Sequence, residues 1–134
     1  MEAELLERLR LARQDDVMRV RQAARRWAID LGFGLVDQTK IVTAVSELAR
    51  NALVYAGGGY VSAEVVRNQE RAGLRITFED EGPGIPDVEL ALRDGYGTGN
   101  GLGLGLGGAR RLMDEFAIRS EAGKGTRVTV TRWR

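Results

Sequence analysis

A chain of 134 residues with 43% hydrophobic content has room for one sizeable core, so a single domain spanning residues 1–134 is expected. Its 20 basic and 19 acidic residues leave a net charge of +1, which gives no overall pull toward nucleic acid or acidic lipid. Cysteine and histidine are both absent, which excludes disulfides, thiolate and imidazole metal ligands, Ser-His triads and a phosphohistidine carried on this chain.

The first residues carry charge, and no apolar run approaches the roughly 20 residues of a membrane span, so a cytoplasmic location with no membrane partner is expected. Leu5, Leu9 and Leu11 alternate with charged residues and read as a strand or a helical turn, with strand preferred. Asp15 and Asp16 are N-cap candidates for an amphipathic helix. Its stripe of Val17, Val20, Ala24, Trp27, Ala28 and Leu31 stops at Gly32. Asp37 is placed to cap a second helix, from about Gln38 to Tyr55, which Gly57, Gly58 and Gly59 terminate. Two β-rich runs follow, Tyr60 to Val66 and Leu74 to Glu79, and read as a hairpin.

From Glu81 to Gly108 glycine dominates, which is no composition for ordinary core. A helical pattern returns from Ala109 to Phe116, and two last strands flank the turn Ala122-Gly123-Lys124-Gly125. This order predicts an α+β, two-layer sandwich: a mixed β-sheet with helices on one face.

Four places stand out chemically. Glu47 and Asn51 lie four apart in the second helix and so share one face, where a carboxylate and an amide oxygen suit an attacking group and a hydrated Mg²⁺. Asp80 ends a strand before Glu81-Gly82-Pro83-Gly84. There a carboxylate oxygen can accept from an exocyclic amine, while Gly82 and Gly84 permit close backbone approach. The run from Gly97 to Leu106, including Gly101, Leu102, Gly103, Leu104 and Gly105, leads into a helix and can cradle phosphates. It lacks the Walker pattern, which disfavours a P-loop enzyme. Gly123-Lys124-Gly125-Thr126 is the fourth. Each segment alone also reads as something ordinary: helix surface, turn, linker or β-turn.

Together, Glu47-Leu48-Ala49-Arg50-Asn51-Ala52, Asp80-Glu81-Gly82-Pro83-Gly84, Gly101-Leu102-Gly103-Leu104-Gly105 and Gly123-Lys124-Gly125-Thr126 resemble, in order and spacing, the boxes of the Bergerat or GHKL nucleotide fold. Ser46 to Asn51 and Ala109 to Phe116 are most similar to RsbT-like switch kinases within that group. The resemblance implies ATP and Mg²⁺ as cofactors and transfer of the γ-phosphoryl group to a Ser or Thr of a STAS-domain antagonist, often within a stressosome. A PP2C-type phosphatase or a sigma factor is the implied output partner. It also implies Asn51 as the Mg²⁺ ligand, Glu47 as base, and Asp80, Gly82, Gly84 and Thr126 around adenine. Gly101 to Gly105 would serve the phosphates within a lid at about residues 85–106, and Arg93 would steady the γ-phosphate. The alternative is a non-catalytic anti-sigma or scaffold module that uses ATP to control partner binding.

Overall fold

The computed structural model describes residues 2–85, 87–92 and 105–134. In chain order these form β1 (Glu2–Leu11), α1 (Gln14–Asp30), α2 (Leu35–Ala56), β2 (Gly59–Arg67), β3 (Ala72–Asp80), the single turn α3 (Val88–Ala91), α4 (Gly105–Leu112), β4 (Glu115–Ser120) and β5 (Thr126–Trp133). The five strands make one sheet in the order β1-β2-β3-β5-β4. All four pairings are antiparallel, where the sequence reading expects a mixed sheet. The helical connections carry the chain across the sheet without returning any strand parallel to its neighbour.

One face of the sheet is covered. Val61 and Ala63 of β2, Leu74, Ile76 and Phe78 of β3, and Val128 and Val130 of β5 meet the stripes of α1 and α2 in a continuous core. On α1 the buried apolar set is Val17, Val20, Ala23, Ala24, Trp27 and Ala28, the predicted stripe with Ala23 added and Leu31 only partly buried, and on α2 it includes Ile41, Ala44, Val45 and Leu48. Burying each of the larger aliphatic side chains contributes about 1.5–3 kcal/mol. A helix cap contributes about 1 kcal/mol, so burial rather than capping decides where these helices lie.

The helix starts bear this out. Helix α2 begins at Leu35 behind Gly34, which makes no side-chain cap bond. Asp37, expected as the cap, lies in the first turn, where its Oδ1 accepts from Arg132 Nη2 at 2.7 Å. Helix α1 likewise begins before its expected caps, at Gln14, and Asp16 falls in the first turn. From there its Oδ2 accepts the backbone N–H of Ala12 at 2.8 Å and of Arg13 at 2.9 Å.

Two other expectations shift. The preferred strand is present as β1, but a bulge between Leu5 and Glu7 reverses the alternation. Leu5, opposite Glu64, is turned to the uncovered face and is 61% exposed. Glu7 is turned to the covered face, where its Oε1 accepts from Trp27 Nε1 at 2.9 Å and from Arg26 Nη2 at 2.8 Å. The last helix is α4, four residues earlier than expected, and Phe116 belongs to β4 opposite Val130. Glycines at 107 and 108 disfavour a helix by about 1 kcal/mol each. Yet Gly105 to Ala109 are all buried, and α4 packs on α2, so tertiary contact overrides propensity.

Accepting two backbone N–H groups holds the Asp16 carboxyl below the ordinary aspartate range, an effect that exceeds its desolvation and the attraction of Arg19. A depressed folded-state pKa adds stability that is present above the unfolded pKa and lost as pH falls through the folded one. Asp16→Ala is expected to lower the melting temperature by a few degrees at neutral pH. In thermal melts across acidic pH that difference from wild type should shrink; a difference independent of pH would remove Asp16 from this role.

Candidate functional site

Strand β5 lies between β3 and β4, and its first residue sets the site. Thr126 is opposite Asp80 on one side and Ser120 on the other, so three polar residues form a row where the apolar rows of the covered face end. Asp80 Oδ1 accepts the backbone N–H of Thr126 at 3.1 Å and of Gly82 at 3.0 Å. Its other oxygen takes no hydrogen bond among the described residues.

Beside this row is a cavity of about 690 Å³. Leu48, Ala52, Phe78, Ile85, Leu90, Leu106 and Val128 give it apolar walls, and Asp80, Thr126 and Asn51 bring polar groups to it. Apolar walls with a few fixed polar groups suit a flat organic ring with a polar edge. Leu106, in the first turn of α4, also faces the cavity, so the end of the glycine-rich tract reaches the same place.

The glycines act on the scaffold. A Cβ at Gly82 would lie 2.5 Å from the Ala56 Cβ of α2, so the close approach it permits is to that helix. Gly84 has φ +79, and a Cβ there would lie 2.1 Å from the Glu121 carbonyl oxygen. Only Gly84 of the two lines the cavity. Together they hold the turn after β3 between α2 and the β4–β5 turn. That differs from the sequence reading, in which both approach the base.

Glu47 is one helical turn before Asn51 but outside the cavity lining. It is 8% exposed, and its Oε1 accepts from Arg50 Nη1 at 2.8 Å. A carboxylate this buried needs such a partner, since an unpaired charge there is costly. Asn51 is the amide side chain among the residues that line the cavity, and its oxygen is a hard donor. That donor fits a Mg²⁺ ion that keeps waters and phosphate oxygens for its other ligands. Among the described residues no cluster of three acidic side chains could hold a metal without them.

The structure thus brings Asn51, Asp80, Gly84 and Thr126 to one cavity, with Glu47 one helical turn before Asn51, Gly82 against Ala56 of α2 and Gly105 at the adjoining helix start. Arg93, Gly101, Leu102, Gly103 and Leu104 lie outside the described residues. Sequence reasoning missed Ser120, whose Oγ accepts the Ile85 N–H at 2.7 Å. The available signal was a polar residue at the third inward position after Phe116 and Ile118. It also missed Tyr55 and Asp87, which line the cavity; Asp87 Oδ1 caps α3 through the Leu90 N–H at 3.0 Å.

Residues 36–133 match the family described as histidine kinase-, DNA gyrase B-, and HSP90-like ATPase. The chain is 48% identical to serine/threonine-protein kinase RsbT of Bacillus subtilis over 93% of its own length and 94% of that protein's. It is 32% identical to an anti-sigma F factor of Geobacillus kaustophilus, covering 87% of this chain and 84% of the relative. Among solved structures, it superposes on the RsbU and RsbW domains of a Mycobacterium tuberculosis protein with a TM-score of 0.62 at 24% identity. That match covers 96% of this chain and 33% of the longer one. The SiaB-SiaC complex of Pseudomonas aeruginosa gives a TM-score of 0.53 at 11% identity, covering 97% of this chain and 91% of the other, and this too is a likeness of fold. Motif order, the cavity between α2 and the ends of β3 and β5, and these matches agree: the chain belongs to the histidine kinase-, DNA gyrase B- and HSP90-like ATPase family, in the branch of RsbT and the anti-sigma F factors.

Proposed function

We propose that this chain is an ATP-dependent serine/threonine protein kinase of the switch type. It transfers the γ-phosphoryl group of ATP to a Ser or Thr of a STAS-domain protein and acts by partner switching. The observation that carries the nucleotide reading is Asp80. One of its oxygens accepts from two backbone N–H groups and the other takes no hydrogen bond among the described residues, on the wall of a mostly apolar cavity. A carboxylate fixed that way is an acceptor for the adenine amine. The identity to RsbT supports the kinase class and a protein acceptor.

In this reading residues 1–134 work as one ATP-binding domain, and Asn51 is the protein's ligand to Mg²⁺. When bound, the metal would supply charge neutralisation for the phosphates. Glu47 takes the proton of the acceptor hydroxyl as its oxygen bonds to the γ-phosphorus and ADP leaves. Arg93 and the glycines from Gly101 to Gly105 serve the phosphates; positioning and charge neutralisation carry most of such a transfer. A PP2C-type phosphatase or a sigma factor receives the signal when partners exchange. No helix among the described residues is long and apolar enough to cross a membrane, in keeping with work in the cytoplasm.

The anti-sigma F factor likeness favours a second reading, in which nucleotide controls sequestration of a partner without phosphorylating it. The buried, paired Glu47 one turn from Asn51 favours transfer.

Two substitutions separate binding from chemistry. Asp80→Asn is expected to weaken ATP in a calorimetric titration by roughly tenfold or more, the effect of unpairing a buried polar contact; unchanged affinity would move the base elsewhere. Glu47→Gln should bind ATP within about twofold of wild type but transfer labelled phosphate to a STAS-domain acceptor roughly 10²–10⁴-fold more slowly. Equal turnover would take Glu47 out of the role of base, and no phosphoprotein from wild type in the presence of Mg²⁺ and ATP would leave only the sequestering reading.

A further inference from the structure

We infer that Ser120 is a specificity-determining positioning residue: it commits the Thr126 hydroxyl to act as an acceptor and so selects a purine with an amine at its six position over one with a carbonyl. This rests on the nucleotide reading of the cavity.

The inference comes from counting protons. The Ser120 hydroxyl has three neighbours: the Ile85 N–H at 2.7 Å, the Gly125 carbonyl oxygen at 3.2 Å and the Thr126 hydroxyl at 2.8 Å. A hydroxyl has one proton and two lone pairs. The Ile85 N–H can only donate, and the Gly125 carbonyl can only accept. One lone pair and the one proton of Ser120 are thereby assigned. The remaining lone pair can satisfy the third contact only by accepting the proton of Thr126. With that arrangement all three contacts are two-centre hydrogen bonds, and no other two-centre assignment makes them so.

The consequence falls on the cavity. Thr126 lines it, but its proton is turned toward Ser120, so its oxygen offers only lone pairs. Asp80, beside it in register and joined to its N–H, also offers an acceptor. The two together form an edge of acceptors only. An exocyclic amine brings two N–H donors to such an edge, directly or through a water. A ring carbonyl brings lone pairs against lone pairs, and the single N1–H beside it can serve at most one of the two protein groups, so one is left unpaired; that is the form of discrimination that hydrogen-bonding sites make well. Without Ser120 the Thr126 hydroxyl is free to rotate and donate to a carbonyl. Ser120 touches no ligand in this account and acts through Thr126.

The experiment is calorimetric titration of the full chain with ATP and with inosine triphosphate, both with Mg²⁺, using wild type, Ser120→Ala, Thr126→Val and the double variant. Wild type is expected to prefer ATP. Ser120→Ala should reduce the ratio of ATP to inosine triphosphate affinity by roughly tenfold, the scale of one misdirected buried hydrogen bond. Ser120→Thr, which keeps the hydroxyl, should retain the preference, and Ser120→Ala should add nothing on top of Thr126→Val. If Ser120→Ala does not fold, Ser120→Cys takes its place, with the same ratio read. A wild type that binds neither nucleotide sinks the nucleotide reading itself. A wild type that prefers ATP, with an unchanged ratio in the Ser120 variant or independent effects in the double variant, overturns the role of Ser120 and leaves that reading standing.

Discussion

The register of β5 between β3 and β4 is the constraint on which the rest depends. Antiparallel pairing fixes Thr126 opposite both Asp80 and Ser120, and the alternation that buries Phe78, Val128 and Ile118 aims those three residues at the same face. A slip of one residue would turn the row to the uncovered side. The register is in turn held by the apolar rows behind it, Ile76 opposite Val130 and Phe78 opposite Val128, all buried. Site geometry and core packing are therefore one structural commitment. The polar edge sits where the hydrophobic rows stop.

Helix α2 supplies the other wall by the same economy. Leu48 and Ala52 belong to the core and also line the cavity, so the surface that meets a ligand is a continuation of the packed interior. Asn51 is added to it by helical spacing. Glu47 is added at a cost, because a carboxylate at 8% exposure has given up most of its hydration. The Arg50 pair offsets part of that and holds the carboxylate in one orientation. Two glycines then let the turn after β3 lie close to α2 and to the β4–β5 turn. At Gly84 even a methyl group would collide with backbone, so the position of Asp80 relative to α2 depends on a side chain that is not there.

Much of this was legible in the sequence because its signals are local. The α1 stripe is a helical period, Gly57 to Gly59 stop a helix, and an Asp between an apolar run and Gly-Pro-Gly marks a strand end with a carboxylate on it. What stayed hidden depends on contacts between distant segments. The bulge that sends Glu7 to Trp27 leaves no composition signal in β1. The start of α4 contradicts glycine's propensity and follows from packing on α2. Asp37 reads as a cap in the sequence because its partner Arg132 lies 95 residues away. Ser120 is silent in the sequence for the same reason. Its neighbours Ile85, Gly125 and Thr126 come from two separate turns, and only the folded register assembles them.

With Glu47 as the base, as proposed above, its burial also bears on which hydroxyl is activated. A base exposed to solvent would act on water as readily as on a protein acceptor, and the nucleotide would be hydrolysed without a signal. Here the carboxylate is buried, lies outside the cavity lining and is already bonded to Arg50, which is 37% exposed by its side chain. An acceptor hydroxyl must reach it in a form that excludes water and competes with that guanidinium for the carboxylate. A Ser or Thr presented on a folded partner brings apolar surface that excludes water, along with backbone and side-chain groups that can take up the displaced guanidinium. Free water brings neither. On the proposed role of Glu47 as base, the arrangement that makes it expensive for folding is thus the one that would couple phosphoryl transfer to the arrival of a partner.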